Sequence, residues 1–343
     1  LATNMVVQSF DGATVEGYAP EGARSVFATV LRAKRSVTLR ANLPGQRPAL
    51  SLGKRFSFTR ESSNTLLLGS WRMHLGGGGS AAEAFHLPDC DDSAWLQVIN
   101  GAWEMQLAQE RDEATYPVTL WYRTQFEAEC VPPDLRLVID GFSGASHQVF
   151  VNGQEPRDGG LRSSLDAEMR EIDIHDLARM GTNHVAVKLV VNRRTDGILD
   201  LLKIMGDFSL RRSGKSHVIV PPSSTIASGD WTRQGLPFYS GTGVYRAVLN
   251  IPARYFGGIL VLEVDCGEDV LDVAVNGSSS RIAPWPPYRV EVSDLVREGE
   301  NLFEIRVTNT LINVLEGVPK TSGIKSPPRL VHYRRCVLTT AST

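Results

Sequence analysis

Residues 292–309 read VSDLVREGENLFEIRVTN, and residues 173–192 read DIHDLARMGTNHVAVKLVVN. Each stretch passes through Asp-Leu to Gly, then to Asn and an alternating, strand-like run. The likeness continues outward. GTGVYRAVLN (241–250) answers TLWYRTQF (119–126), and VAVNGSSS (273–280) answers QVFVNGQE (148–155). Tyr122-Arg123 recurs as Tyr245-Arg246, and Asn152-Gly153 as Asn276-Gly277. Asp176, Gly181 and Asn183 recur as Asp294, Gly299 and Asn301. The same markers in the same order, about 120 residues apart, describe a duplicated module with one loop shorter in the second copy.

The period of the apolar residues gives the fold class. LRLVIDG (135–141), HQVFVNG (147–153) and HVAVKLVVN (184–192) place apolar side chains at every second position. GILVLEVDCG (258–267), LDVAVNG (271–277) and LFEIRVTN (302–309) do the same in the second copy. Such alternation suits a sheet with one buried face. Asn-Gly after a strand reads as a tight turn, where glycine tolerates positive φ. The Asp-Leu segments read as one helical turn closed by Gly. Strands joined this way predict an all-β protein built of sandwiches.

Three divisions follow. Residues 1–68 hold strand candidates SVFATVLRA (25–33), SVTLRANLP (36–44) and FSFTR (56–60), without the repeated markers. They are expected to be a separate β-rich piece, the end of an upstream domain. The two copies are expected over 69–212 and 213–343. The chain lacks an initiator Met and enters directly into a strand-like run, which points to a mature form or a part of a longer protein.

Composition excludes several classes. The 343 residues are 42% hydrophobic and 22% charged, with a formal net charge of −2, so no basic excess invites nucleic acid. No run of about 20 apolar residues predicts a membrane span. Cys90, Cys130, Cys266 and Cys336 form no C-x-x-C pair and are too scattered for a disulfide framework or a zinc site; they are expected as buried thiols. Gly76–Gly79 is expected to be a loop. GFSGAS (141–146), started at Gly141, departs from a G-x-S-x-G nucleophile elbow at Ala145, and it lacks the strand–turn–helix context.

The ordered set LGSWRMHL, FHLPDCDDSAWLQVINGAWE, LWYRTQF, VIDGFSGASHQVFVNG and IDIHDLARMGTNHVAVKLV resembles the sugar-binding-like jelly-roll domain of glycoside hydrolase family 2. Two such modules near a chain end more closely resemble the C-terminal region of family 106 α-L-rhamnosidase-like enzymes. The broader match is to galactose-binding-like domains, over roughly residues 70–335. The resemblance implies tandem jelly-roll sandwiches and a secreted, periplasmic or cell-surface place in a bacterium. It also implies carbohydrate or polysaccharide as partner, and a catalytic domain of the same polypeptide outside this chain. Such modules often hold a structural calcium; Asp89, Asp91 and Asp92 supply hard oxygens, but no complete ligand set is identifiable, and no other cofactor is implied.

No catalytic residue is assigned. Glycoside hydrolysis needs two carboxylates flanking one bond. Glu104, Glu110, Asp112 and Glu113, and the Asp89 cluster, read better as solvated loop charges, while Asp140 and Asp265 read as turn caps. Binding is the better supported role, because aromatic rings stack on sugar faces. Trp121 and Trp95 are expected in the core. Trp103 and Trp285 fall in loops, and APWPPYR (283–289) adds Tyr288 and Arg289 to a proline-stiffened segment. DWTRQGLPFYSGTG (230–243) adds Trp231, Arg233 and Tyr239 in a segment expected to be an inter-domain seam. The Trp285 loop is expected to rest against another domain, so that removing the ring would cost about 2–4 kcal/mol. The alternative is an autonomous carbohydrate-binding or adhesion module.

Overall fold

The computed structural model describes residues 6–10, 14–18, 38–44, 47–76, 84–107, 116–157, 159–163 and 165–339. The strand candidate at 25–33, most of the glycine run, and Glu110, Asp112 and Glu113 lie outside these residues.

The alternation becomes strands with one dry face. In Gly299–Thr308, Phe303, Ile305 and Val307 point inward and are buried, while Glu304 and Arg306 point outward. Each fully buried Val, Ile or Leu contributes about 1.5–3 kcal/mol of transfer free energy. Two apolar cores result, each between two sheets.

The first core lies between two largely antiparallel sheets. One carries Ser146–Val151, Gly181–Val191, Val118–Ala128, Ser216–Val220 and Ser209–Ser213, with Ser70–Leu75 also paired to Val118–Ala128. The other carries Leu161–Arg162, Arg170–Asp173, Arg136–Ile139, Leu202–Gly206 and Asn64–Leu68. Leu120 and Val187 of one meet Leu137 and Ile204 of the other in a single cluster.

The second core repeats the plan. One sheet is ordered Thr225–Ala227, Arg55–Arg60, Thr242–Ile251, Gly299–Thr308, Val270–Val275 and Arg281–Ala283. Facing it, Arg329–Thr339 lies between Thr38–Pro44 and Ile259–Glu263, and Arg289–Glu291 closes the edge. Tyr245 and Phe303 meet Leu260, Leu262 and Leu330 in the core.

The N-terminal stretch expected to stand apart supplies strands to both sandwiches. Asn64–Leu68 pairs with Leu202–Gly206, and Arg55–Arg60 pairs with residues 243–246. The cause is the apolar content of these strands: Leu66 and Leu68 join the first core, Phe56 and Phe58 the second. The boundary expected at 212–213 falls inside a hairpin, because Ser209–Ser213 and Ser216–Val220 pair with each other. Ile219 seals that hairpin to the first core.

The repeated letters have one physical cause. Asn152 and Asn276 both take left-handed backbone angles, φ 50° and 52°, and each is followed by a glycine of positive φ. Among non-glycine residues, asparagine tolerates this region best. The Asn152 side-chain amide donates to Leu177 O and to Asn183 Oδ1, and its Oδ1 accepts from His184 N. Asn276 repeats the pattern with Leu295 O, Asn301 Oδ1 and Leu302 N. Asn183 and Asn301, both fully buried, bind the backbone of Arg179 and Gly181, and of Arg297 and Gly299. The Asp-Leu segments make one helical turn each, with Ala178 N donating to Ile174 O and Val296 N to Val292 O. Gly181 and Gly299 then take φ near 90° to release the chain into the next strand.

The sandwiches meet along a hydrogen-bonded seam. Asn64 donates to Phe208 O and to Gly235 O, and Arg60 binds both Phe208 O and the Asp207 carboxylate. Leu210 N donates to Gly235 O at 2.9 Å.

Candidate functional site

The segment 284–288 carries the chain from Arg281–Ala283 in one sheet of the second sandwich to Arg289–Glu291 in the other. Three of its five residues are proline, which have no N–H to offer a sheet edge and hold φ near −65°. The chain therefore crosses the edge of the sandwich as a braced loop. Tyr288 anchors it: the ring is buried in the core, and its hydroxyl donates to Asp269 O. Trp285 points the other way and is 72% exposed. The expectation that this ring rests against another domain is not met within the described residues. Proline bracing fixes the loop without burying its indole.

Two hollows flank the loop. One, about 310 Å³, is walled by Glu263, Asp265, Gly267, Ser326 and Arg329. The other, about 330 Å³, is walled by Arg281, Ile282, Trp285 and Glu291. Pro286, Pro287 and Arg289 line both.

Alternation along the strands decides which side chains reach them. Leu262 and Val290 point into the core, so Glu263, Arg289 and Glu291 point outward. Glu263 gathers three donors: Arg289 Nε at 3.1 Å, the Tyr333 hydroxyl at 2.6 Å and Arg329 at 3.1 Å. Glu291 accepts from Arg335 at 2.7 Å. Arg281 ties the Glu291 carbonyl to Asp294, and its guanidinium holds the Asp294 carboxyl below the usual range. The result is a surface of paired charges around one exposed indole.

Beneath it lies a buried acid. Asp269 accepts from Gly323 N at 2.9 Å, and desolvation pushes its carboxyl up to about 6. Cys266 donates its thiol toward Asp269 O, and burial pushes that thiol up to about 12.

The other residues chosen from the sequence are placed elsewhere. Trp103 is fully buried in the first core, with its indole N–H donating to Arg193 O at 3.1 Å. Trp231 and Tyr239 are fully buried in the second core, edge to face at 5.5 Å. Tyr239 donates to Thr242 O and accepts from Ser62. These three rings present no face to a ligand: their indole or phenol bulk fills the space between sheets. Arg233 is exposed beside Asp230, which caps the short helical turn Trp231–Arg233. Of the chosen residues, Trp285, Tyr288 and Arg289 come together on one surface loop, whereas Trp231 and Tyr239 meet only inside the core. Arg281, Ser326 and Arg329 went unnoticed in the sequence, because strand register brings the two arginines to the same edge and Ser326 arrives in the loop that leads into Arg329–Thr339.

Several of the acidic candidates are also occupied. Asp92 pairs with Arg123 at 2.9 Å, and Asp91 accepts from Ser93 N at 3.0 Å, which lowers its carboxyl. Glu104 is buried against the Tyr116 hydroxyl. Asp265 caps its turn as expected, accepting from Gly267 N; Asp140 instead pairs with the buried Lys203 at 3.0 Å. Among the described residues, no three His, Cys, Asp or Glu side chains are grouped to hold a metal ion. Cys90, Cys130 and Cys266 are free thiols, of which only Cys266 is fully buried. A third hollow of about 510 Å³ opens near the seam, with Leu66, Phe126, His217 and Phe238 on its walls. No helix among the described residues is long and apolar enough to cross a membrane.

No protein-family model matches the chain. A curated protein described as a putative beta-glucuronidase of Formosa agariphila is 30% identical over 89 residues, which span 25% of this chain and 8% of that protein. Among solved structures, the Amycolatopsis orientalis exo-chitosanase CsxA is 15% identical with a TM-score of 0.35, covering 71% of this chain and 29% of that one. A Lactobacillus rhamnosus beta-glucuronidase is 11% identical with a TM-score of 0.34, covering 81% and 45%. The chain thus spans less than half of each of these proteins, and the likenesses are too distant to assign it to one family.

Proposed function

We propose that this chain is a non-catalytic, carbohydrate-binding region of a glycoside hydrolase, made of two galactose-binding-like jelly rolls divided near residues 220–225. The catalytic domain lies elsewhere in the same polypeptide, and the site of action is outside the bacterial cytoplasm. One observation carries the binding role: Trp285, exposed on a proline-braced loop between two polar hollows. The braced indole, with the exposed Ile282 beside it, offers a flat apolar face in a polar surround, and the face of a pyranose is a suitable partner for it. The glycosidase association is supported by the 89-residue likeness to a putative beta-glucuronidase. Asp91, Asp92, Glu104, Asp140, Asp265, Glu263 and Glu291 each accept from Arg, Lys, Tyr or a turn amide.

Two measurements test this reading. Aryl glucuronides, galactosides and rhamnosides incubated with the chain should show no turnover above buffer. Sustained turnover that a single carboxylate substitution abolishes would overturn the non-catalytic assignment. Isothermal titration with glycans should show binding that Trp285→Ala removes.

A further inference from the structure

The two hollows differ in lining but share a wall. Pro286, Pro287 and Arg289 belong to both, so the hollows lie back to back across a rigid ridge. Each, at 310–330 Å³, stands at the small end of the range for ligand pockets, about 300–1,000 Å³. One sugar unit suits each; a longer ligand must cross the ridge. The indole of Trp285 supplies an apolar platform on one side. On the other side the ridge prolines and the exposed Ser326 face Glu263 and Arg329.

The charges are matched. The linings together contain Arg281, Arg289 and Arg329 against Glu263, Asp265 and Glu291. Next to them, Arg335 pairs with Glu291, Asp294 with Arg281 and Lys320 with Glu268, and Lys325 lies against Gly267 with Asp269 among its charged neighbours, adding three of each sign. A surface balanced in this way has no net field to draw an anion. Carboxylate and guanidinium side by side instead offer acceptors and donors in fixed directions, which suits hydroxyl groups that both give and take hydrogen bonds.

We infer that this edge binds a stretch of neutral glycan at least two sugar units long, one unit on each side of the Pro286–Pro287 ridge, and not a single terminal sugar or a uronate. The inference rests on the proposed carbohydrate-binding role of Trp285 and specifies its ligand.

The test is isothermal titration of the 343-residue chain with size series from monosaccharide to tetrasaccharide: cello-, xylo-, manno- and β-1,4-galacto-oligosaccharides, with oligogalacturonates as the charged arm, each at low and high salt. Affinity for at least one neutral series should rise about tenfold once a second unit is present, equivalent to one further modest contact. It should be indifferent to salt, since no unpaired ionic attraction is involved. Trp285→Ala should remove binding of the whole series. Ser326→Trp, at an exposed position, should fill the far hollow, leave melting unchanged and bring the tetrasaccharide down to the affinity of the monosaccharide. Equal affinity for mono- and tetrasaccharide, still dependent on Trp285, would overturn the two-unit site and leave the platform reading intact. Tighter, salt-sensitive binding of oligogalacturonate would overturn the neutral ligand. No binding in any neutral series, or binding untouched by Trp285→Ala, would overturn both.

Discussion

A buried asparagine shows how single residues make this fold repeat itself. Asn301 is only 1% exposed, and its amide is shared among Asn276, the Arg297 backbone and Gly299 O. Alanine there strands several backbone groups away from water, at about 1–3 kcal/mol for an unsatisfied buried group. Asn301→Ala should therefore lower the unfolding free energy obtained from urea melts by that order. The double variant Asn276→Ala/Asn301→Ala should cost less than the sum of the singles, because the two amides belong to one network. Trp285 is the opposite case. Its ring covers little apolar surface of its own chain, so Trp285→Ala should change stability by no more than about 0.5 kcal/mol. Equilibrium urea melts of the two variants, run together, check the contrast; a large loss for Trp285→Ala would restore the packing role expected from the sequence.

At the scale of elements, two matching strands have been put to different uses. Tyr122 and Tyr245 both point into their cores, and Arg123 and Arg246 both point outward. Arg246 stays at the surface against Glu304 and Thr59. Arg123 is covered: the segment 84–95 folds over the sheet, and Arg123 binds Asp92, Phe85 O and Leu87 O beneath it. Phe85 and His86 close on Trp121 in the same cover. Arg123→Met keeps the length of the side chain and removes its donors. The segment should then lose amide-exchange protection from 84 to 95 before the strands do, with a global cost of at most about 3 kcal/mol, since Asp92 keeps some access to water. Uniform loss of protection across the sheet would show that the cover and the sheet open as one. The strands themselves were legible in the sequence, because period two and the Asn-Gly and Asp-Leu turns are local. Their partners were not. Phe56 and Phe58 read as a strand in any context, and nothing local says that they lie beside Tyr245, some 190 residues further on. The same limit governs the candidate site. Trp285 and its prolines are visible as letters, whereas Glu263 and Arg329 join them only through sheet register, and Ser326 through the loop leading into that strand.

For the whole molecule, pH tests how the second sandwich is held closed. Asp269 is buried under the loop that carries Gly323, with Lys320, Lys325 and Glu268 as its charged neighbours. Its carboxyl titrates near 3.8 when unfolded and near 6 in the fold, raised chiefly by desolvation. Between those values the folded state holds the extra proton, so the contribution of Asp269 to stability falls as pH rises through the window and is lowest above it. The histidines act in the other direction. Burial lowers His184, His217 and His332 in the fold, so their contribution is lost as pH drops below the unfolded value of 6.5. The two effects overlap in the wild-type curve. Asp269→Asn separates them, since the amide keeps an acceptor for Gly323 N, carries no charge at any pH, and leaves the histidines in place. The variant should match the wild type near pH 4 and exceed it increasingly up to about pH 6. Beyond that the gap should hold constant, at about 3 kcal/mol or less from a shift of roughly two units. Urea melts of both proteins across about pH 4 to 8 give the difference directly. A gap that is flat with pH would mean that Asp269 is charged throughout and paid for by its lysines. A gap that widens toward acid would reverse the sign and place the proton on the unfolded chain instead.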